Sequence, residues 1–289
     1  MVSSVWNLAR RVTLLLDRRG TRWLISALLP VAARALPDGV RRLRYDNGWI
    51  HRFDQGLVVE PQPRMRSYDI GEARNRFLWG FLYEPRPGHT IVDVGAGLGA
   101  ESLYYARQVE PDGRVIAIEA HPTICRYLER SVALGGLTST KVLNLALSDK
   151  KETVYIEDNL DELLGNALVE QGKGVSVEAT TLEALCEAEG IERIDFLKMN
   201  IEGAERLAIQ GFGKALGKIA VMCISCHDFK FARTGNDFFK TKEIVRKFVE
   251  ENGFVIVPRE SQLAEVTDQI NAYNPALIDA SELPPARES

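Results

Sequence analysis

Cysteine, methionine and tryptophan are scarce in this chain of 289 residues, at four each. The stretch of about eighteen apolar residues that a membrane-spanning helix requires is absent from the sequence. The cysteines, Cys125, Cys186, Cys223 and Cys226, are too few and too scattered for a disulfide framework and suit a reducing cytoplasm. No internal repeat or low-complexity tract occurs, which excludes solenoid and fibrous architectures. A strong charge of one sign is also missing. The net of −4 combines ten Arg against five acidic residues in residues 1–60 with a deficit of −9 in the rest, which argues against general nucleic-acid binding. Arg10 and Arg11 precede Leu14, Leu15 and Leu16 much as in an export signal, but Asp17, Arg18, Arg19 and Arg22 interrupt the apolar stretch. Cys223, Cys226 and His227 match a haem-attachment string. They fall on a segment that reads as a buried strand, where residues three apart point to opposite faces and core packing is expected.

What is present is 45% apolar residues, enough for a full core, and a sharply patterned stretch at residues 90–99. An apolar run ends in Asp93 and is followed by Gly95, Gly97 and Gly99 on alternate positions. This reads as a strand entering a loop whose backbone N–H groups approach a nucleotide-type cofactor at the start of a helix. About twenty residues later a second apolar run ends in Glu119, placed to accept two ribose hydroxyls. Gly95, Gly97 and Ala100 also fit the dinucleotide fingerprint, so NAD and S-adenosylmethionine compete. Asp93 decides for the latter at this level: a carboxylate beside the loop repels pyrophosphate and suits a cationic amine.

Residues 91–99, 115–122, 144–149, 180–182 and 194–205 together resemble the FkbM family of S-adenosylmethionine-dependent methyltransferases, in the family's order. The last of them, with Asp195, Phe196, Leu197 and Lys198 followed by Glu202 and Gly203, is the most diagnostic. Asn200 departs from the Asp that many members carry. The resemblance implies methyl transfer to a hydroxyl of a sugar, glycan, macrolide or similar metabolite. The competing readings are an NAD-dependent oxidoreductase and a non-catalytic scaffold retaining the fold.

Strands expected near 90, 114, 140, 194 and 219 alternate with helices near 100, 123, 182 and 203. This spacing predicts an α/β, doubly wound, mostly parallel sheet of Rossmann-like type spanning residues 66–289. A helix over 66–83 carries Phe77, Trp79 and Phe81 to the core edge, and a hairpin from Glu152 to Ala179 is inserted around a Gly-punctuated loop. Residues 1–65 are expected to form a helical and β cap, with short strands around the turn at Asp46, Asn47 and Gly48. In it, Val5, Leu8, Val12, Leu15 and Leu16 share one helix face, opposite Arg10, Arg11, Arg18 and Arg22. Such a helix suits an anionic membrane surface, a hydrophobic partner, its own domain or a second subunit.

Ligands in such sheets sit beyond the carboxyl ends of the strands. The cofactor set is therefore Asp93, Gly95, Ala96, Gly97, Gly99, Glu119, Ala120, Ala146, Leu147 and Asn200, with Ser148 near the adenine. His227 is the expected base, having a reference pKa near neutrality, with Asp228 or Glu202 to orient it. Asn200, Glu202, His227 and Asp228 also form a donor set that permits a divalent metal without requiring one. His51 and His89 are expected to be structural.

Overall fold

The structure, a computed structural model, describes residues 15, 17–36, 38–65, 72–159 and 165–284. Most of the amino-terminal helix face proposed from sequence, Val5 to Val12 with Arg10 and Arg11, lies outside the described residues, as do 66–71 and 160–164.

The cap begins with helix α1 (Arg22–Ala33), followed by strands β1 (Arg42–Tyr45), β2 (Trp49–Phe53) and β3 (Gly56–Glu60), paired antiparallel in that order. Residues 18–21 are turn, so a single helix does not continue through the arginines. Arg22 turns inward, donating to Asp17 at 2.7 Å with its guanidinium over the Tyr45 ring. The hairpin turns where expected, with Asn47 and Gly48 both at positive φ. The cap is seated on the rest of the chain through Ile25, Leu29 and Ala33, which pack with Trp49, Phe53 and Val58 and reach Leu103.

Among the described residues, helix α2 (Glu72–Trp79) ends at Trp79 rather than at residue 83 as the sequence predicts. Trp79 and Phe81 are buried, but Phe77 is exposed, because only one side of this short helix meets the core. From there the chain alternates: β4 (Thr90–Val94), α3 (Ala100–Val109), β5 (Arg114–Ile118), α4 (Pro122–Gly135) and β6 (Thr140–Leu143). The insertion contains β7 (Ala146–Leu147), β8 (Glu152–Ile156), β9 (Leu168–Val169) and β10 (Val175–Thr180), with β8 and β10 antiparallel as anticipated. Helix α5 (Leu182–Glu189), β11 (Ile194–Met199), α6 (Glu205–Ala208), β12 (Ile219–Ser225), α7 (Asp228–Thr234), α8 (Lys242–Glu251), β13 (Val255–Ile256), α9 (Ala264–Thr267) and β14 (Gln269–Tyr273) complete the described elements.

The main sheet has seven strands in the order β13-β14-β12-β11-β4-β5-β6. The five from β12 to β6 run parallel, while β14 is antiparallel to both neighbours. Strand direction and helix placement make this the doubly wound Rossmann-like α/β fold, with β13 and β14 added to what the sequence predicts. Alternate residues feed two cores: Val92, Leu197 and Met222 face α5 and α8, while Ile91, Phe196 and Val221 face α2 and α3. Cys223 and Cys226 fall into opposite cores, with burial pushing the Cys223 thiol up to about 12. Strand order departs in both directions from β4, which places the ligand crevice at the ends of β4 and β11.

Candidate active site

The crevice is a cavity of ≈ 320 Å³ at that switch point. Its floor is the loop after β4. The Gly95 and Ala96 N–H groups both donate to the Ile118 carbonyl at 2.9 Å, folding the loop back over β5. A Cβ on Gly95, which has φ +76°, would come within 2.0 Å of the Asn200 carbonyl oxygen, so only glycine fits between the two strand ends. Gly99, at φ +92°, lies outside the cavity; it is held close to Leu128, and its expected role in the cofactor set is corrected to helix packing.

Glu119 is fixed at both oxygens. Gly97 N–H donates to Oε2 and His121 N–H to Oε1, each at 2.8 Å. Burial pushes its carboxyl above the usual range against these two bonds. Each oxygen retains a lone pair for a ligand hydroxyl. Asn144 steadies the same turn by donating to the carbonyls of Glu119 and Ala120. Gly95, Ala96, Gly97, Glu119 and Ala120 line the cavity, with Ala146, Leu147 and Asn200. Ser148 does not, since its hydroxyl turns to Asp149.

Asp93 requires correction. It is fully buried beneath the loop, beside Lys198 on the neighbouring strand in register. Lys198 Nζ lies 2.8 Å from Asp93 Oδ1 and donates to the Gly95 carbonyl at 2.9 Å, while Ser102 Oγ donates to Asp93 Oδ2. The carboxylate is therefore neutralised and does not reach a ligand amine, and its repulsion of pyrophosphate, the basis for preferring S-adenosylmethionine over NAD, is removed. The cavity-lining acid beside the loop is instead Glu101, in the first turn of α3, which accepts the Trp79 indole N–H at 3.1 Å. The sequence reading named Lys198 only as part of the diagnostic stretch and not as Asp93's partner, although a lysine inside the apolar run of β11 was itself the signal.

At the ends of β11 and β12 the cavity meets an ion cluster. His227 Nδ1 lies 3.0 Å from Glu205 Oε1 and its Nε2 lies 3.4 Å from Glu202 Oε2. Lys230 of α7 donates to Glu202, and the Ile201 N–H donates to Glu205 Oε1. Glu202 takes φ +57°, which turns its side chain back toward His227. Burial works to lower the His227 pKa, but Glu205 and Glu202 outweigh it and raise it to about 9. Burial likewise opposes ionisation of Glu202, but His227 and Lys230 outweigh it and hold its carboxyl below the ordinary range. At neutral pH His227 is thus an imidazolium, not the near-neutral base expected. Glu205, to which the sequence reading gave no role, lies three residues past Glu202 and is wholly buried.

Asp228 is also reassigned. Its carboxylate accepts the backbone N–H groups of Thr241 and Lys242 at 2.9 and 2.8 Å, capping α8 outside the cavity. With Asp228 turned away and Glu202 held by Lys230, the proposed metal donor set does not assemble, and no other group suited to a metal occurs among the described residues. His51 is structural: Nε2 accepts the Arg64 N–H, Nδ1 faces the Trp49 carbonyl, and burial lowers its pKa to about 3. His89 pairs with the Tyr83 hydroxyl.

The family model for the methyltransferase FkbM domain matches residues 93–256, more than half of the chain. This chain belongs to the FkbM family of S-adenosylmethionine-dependent methyltransferases. It is 26% identical over 229 residues to the AMB antimetabolite synthetase AmbE of Pseudomonas aeruginosa, covering 65% of this chain and 10% of that protein. It is 24% identical over 191 residues to the 2-O-methyltransferase NoeI of Sinorhizobium fredii, covering 57% of this chain and 76% of that one. The chain thus spans only a tenth of the length of the first. The solved methyltransferase FkbM from Methylobacillus flagellatus is similar at 18% identity and TM-score 0.44, over 72% of this chain and 48% of that chain.

Proposed function

We propose that this FkbM-family chain methylates a hydroxyl group on a small-molecule or glycan acceptor. The observation that carries the reading is that one cavity joins the Glu119 cradle to His227 and Glu202. The residues at the cradle fit S-adenosylmethionine: the space over Gly95 admits no Cβ, and Glu119 holds two carboxylate oxygens ready for ribose hydroxyls. Ala146 and Leu147 would border the adenine, and Glu101 would meet the ammonium group. When bound, the cofactor supplies an electrophilic methyl group, so the protein's task is to align the acceptor and remove its proton.

His227 performs the second task. Its Nδ1 lies 3.0 Å from buried Glu205, and its Nε2 lies beside Glu202 at the cavity. In the neutral form Nε2 accepts the hydroxyl proton as the oxygen–methyl bond forms, and the resulting imidazolium is stabilised by both carboxylates. Because the folded pKa stands at about 9, the neutral form grows as pH rises toward that value. The NoeI similarity supports oxygen as the methyl acceptor.

The test is turnover with methyl-labelled S-adenosylmethionine across a panel of alcohols, sugars and amines. Label recovered as a methyl ether, with homocysteine-containing product formed only when a hydroxyl acceptor is present, is the expected result. Label on nitrogen or carbon overturns the hydroxyl assignment. Calorimetric binding of NAD but not of S-adenosylhomocysteine overturns the cofactor assignment.

A further inference from the structure

We propose that the outer face of α1 docks on an anionic lipid bilayer. One side of this helix is used: Ile25, Leu29 and Ala33 are buried against the cap strands. The other side carries Trp23, Leu28 and Val31, each about two-thirds exposed, an unusual concentration of large apolar side chains facing solvent. Ala27 and Ala32 are exposed with them, so every exposed residue of the helix is apolar.

Charge selects the occupant. Arg19 stands four residues before Trp23, and Arg34 three after Val31, so exposed guanidinium groups bracket the apolar face at both ends, with Arg18 beside the first. No acidic residue occurs between Arg18 and Leu36. The one acid just before it, Asp17, is turned inward onto Arg22 and the Trp49 indole N–H. An apolar face carrying an indole and flanked by Arg18, Arg19 and Arg34 matches the headgroup region of an anionic leaflet, where the ring sits at the boundary and the guanidinium groups meet phosphates. At twelve residues the helix is too short to cross a bilayer, and no described helix is long and apolar enough to do so. It lies on the surface instead. Phe53 and Val58 pack against the buried side of α1 and also line the cavity, so the helix that docks is separated from the site by one layer of side chains.

Co-sedimentation of the full chain with vesicles tests this. Phosphatidylcholine vesicles containing phosphatidylglycerol should pellet the protein at low salt, phosphatidylcholine alone should not, and high salt should release it. Leu28→Glu with Val31→Glu should weaken pelleting by about tenfold or more, and Arg18→Glu with Arg19→Glu should do so separately. Both variants should keep the wild-type melting temperature and S-adenosylhomocysteine affinity, since every altered side chain is exposed. Absence of pelleting with anionic vesicles at low salt overturns the proposal, as does equal pelleting with neutral lipid. Light scattering that shows a dimer dissociated by Leu28→Glu with Val31→Glu overturns it in favour of a second copy of this chain.

Discussion

Two buried ion clusters flank the cavity, and they differ in what their surroundings leave open. Beneath the glycine loop, Asp93 and Lys198 are sealed from solvent, matched one to one, and tied to Ser102 and the Gly95 carbonyl. At the far end, His227 stands between two carboxylates and borders the cavity. Burial makes the first a fixed strut, because removing either partner would leave the other's charge buried and unpaired. The second is balanced too, His227 and Lys230 against Glu202 and Glu205, but it opens on the cavity, and the two carboxylates raise the His227 pKa to about 9. A single motif, from Asp195 to Glu205, supplies members of both.

The largest expected effect breaks the strut. Lys198→Met leaves the Asp93 carboxylate buried and unpaired, and should lower stability by about 3–5 kcal/mol in denaturant unfolding. An unchanged midpoint would show that Asp93 is solvated and the strut absent. Next, His227→Gln should reduce turnover by about a hundredfold or more while S-adenosylhomocysteine affinity holds, and should abolish the rise of activity toward pH 9. Near-normal turnover removes His227 from the chemistry and leaves Glu202 as the base. A smaller change is expected at the cradle. Glu119→Ala should weaken S-adenosylhomocysteine binding by about tenfold or more in calorimetry, the usual loss for hydrogen bonds to a charged acceptor. Equal affinity in a folded variant would displace the ribose from this position.

The mildest variant tests what sets the titration. Glu205→Gln keeps an oxygen for the Ile201 N–H but removes one negative charge from His227, so the rising limb of the pH–activity profile should move to lower pH. Stability carries the same signature. The wild-type imidazole titrates at about 9, against 6.5 for an ordinary one, so the stabilisation it provides is fully present below about pH 6.5 and is lost as pH rises through about 9. Melting curves across that window should decline more steeply for the wild type than for His227→Gln.

The parallel strands, the inserted hairpin and the cofactor floor were legible in the sequence because each rests on local pattern: apolar runs of period two, glycines at fixed offsets and a carboxylate at a strand end. Strand β14 was not, since it is only five residues long with polar Gln269 and Asn271 buried in it, and its neighbour β12 lies nearly fifty residues earlier. The roles of Asp93 and Asp228 were misread for a related reason. A strand-end acid looks the same in sequence whether it meets a ligand, a buried lysine or a helix terminus, and only register places Lys198 beside Asp93. His227 was found from its position, but its ionisation depended on Glu205, whose inward turn follows from the short helix α6.

The walls of the cavity have a separate origin from its floor. Phe53, Val58 and Arg64 come from the cap, Trp79 from α2, and Glu265 and Gln269 from the chain beyond β13. All six fall outside residues 93–256, the stretch that carries the family's signature. The matched segment holds the Glu119 cradle and the His227 cluster, together with the cavity-lining Ile156, Leu168 and Phe229. If the acceptor rests against these flanking residues, exchanging residues 38–65 between relatives should change which acceptor is methylated while S-adenosylhomocysteine affinity holds.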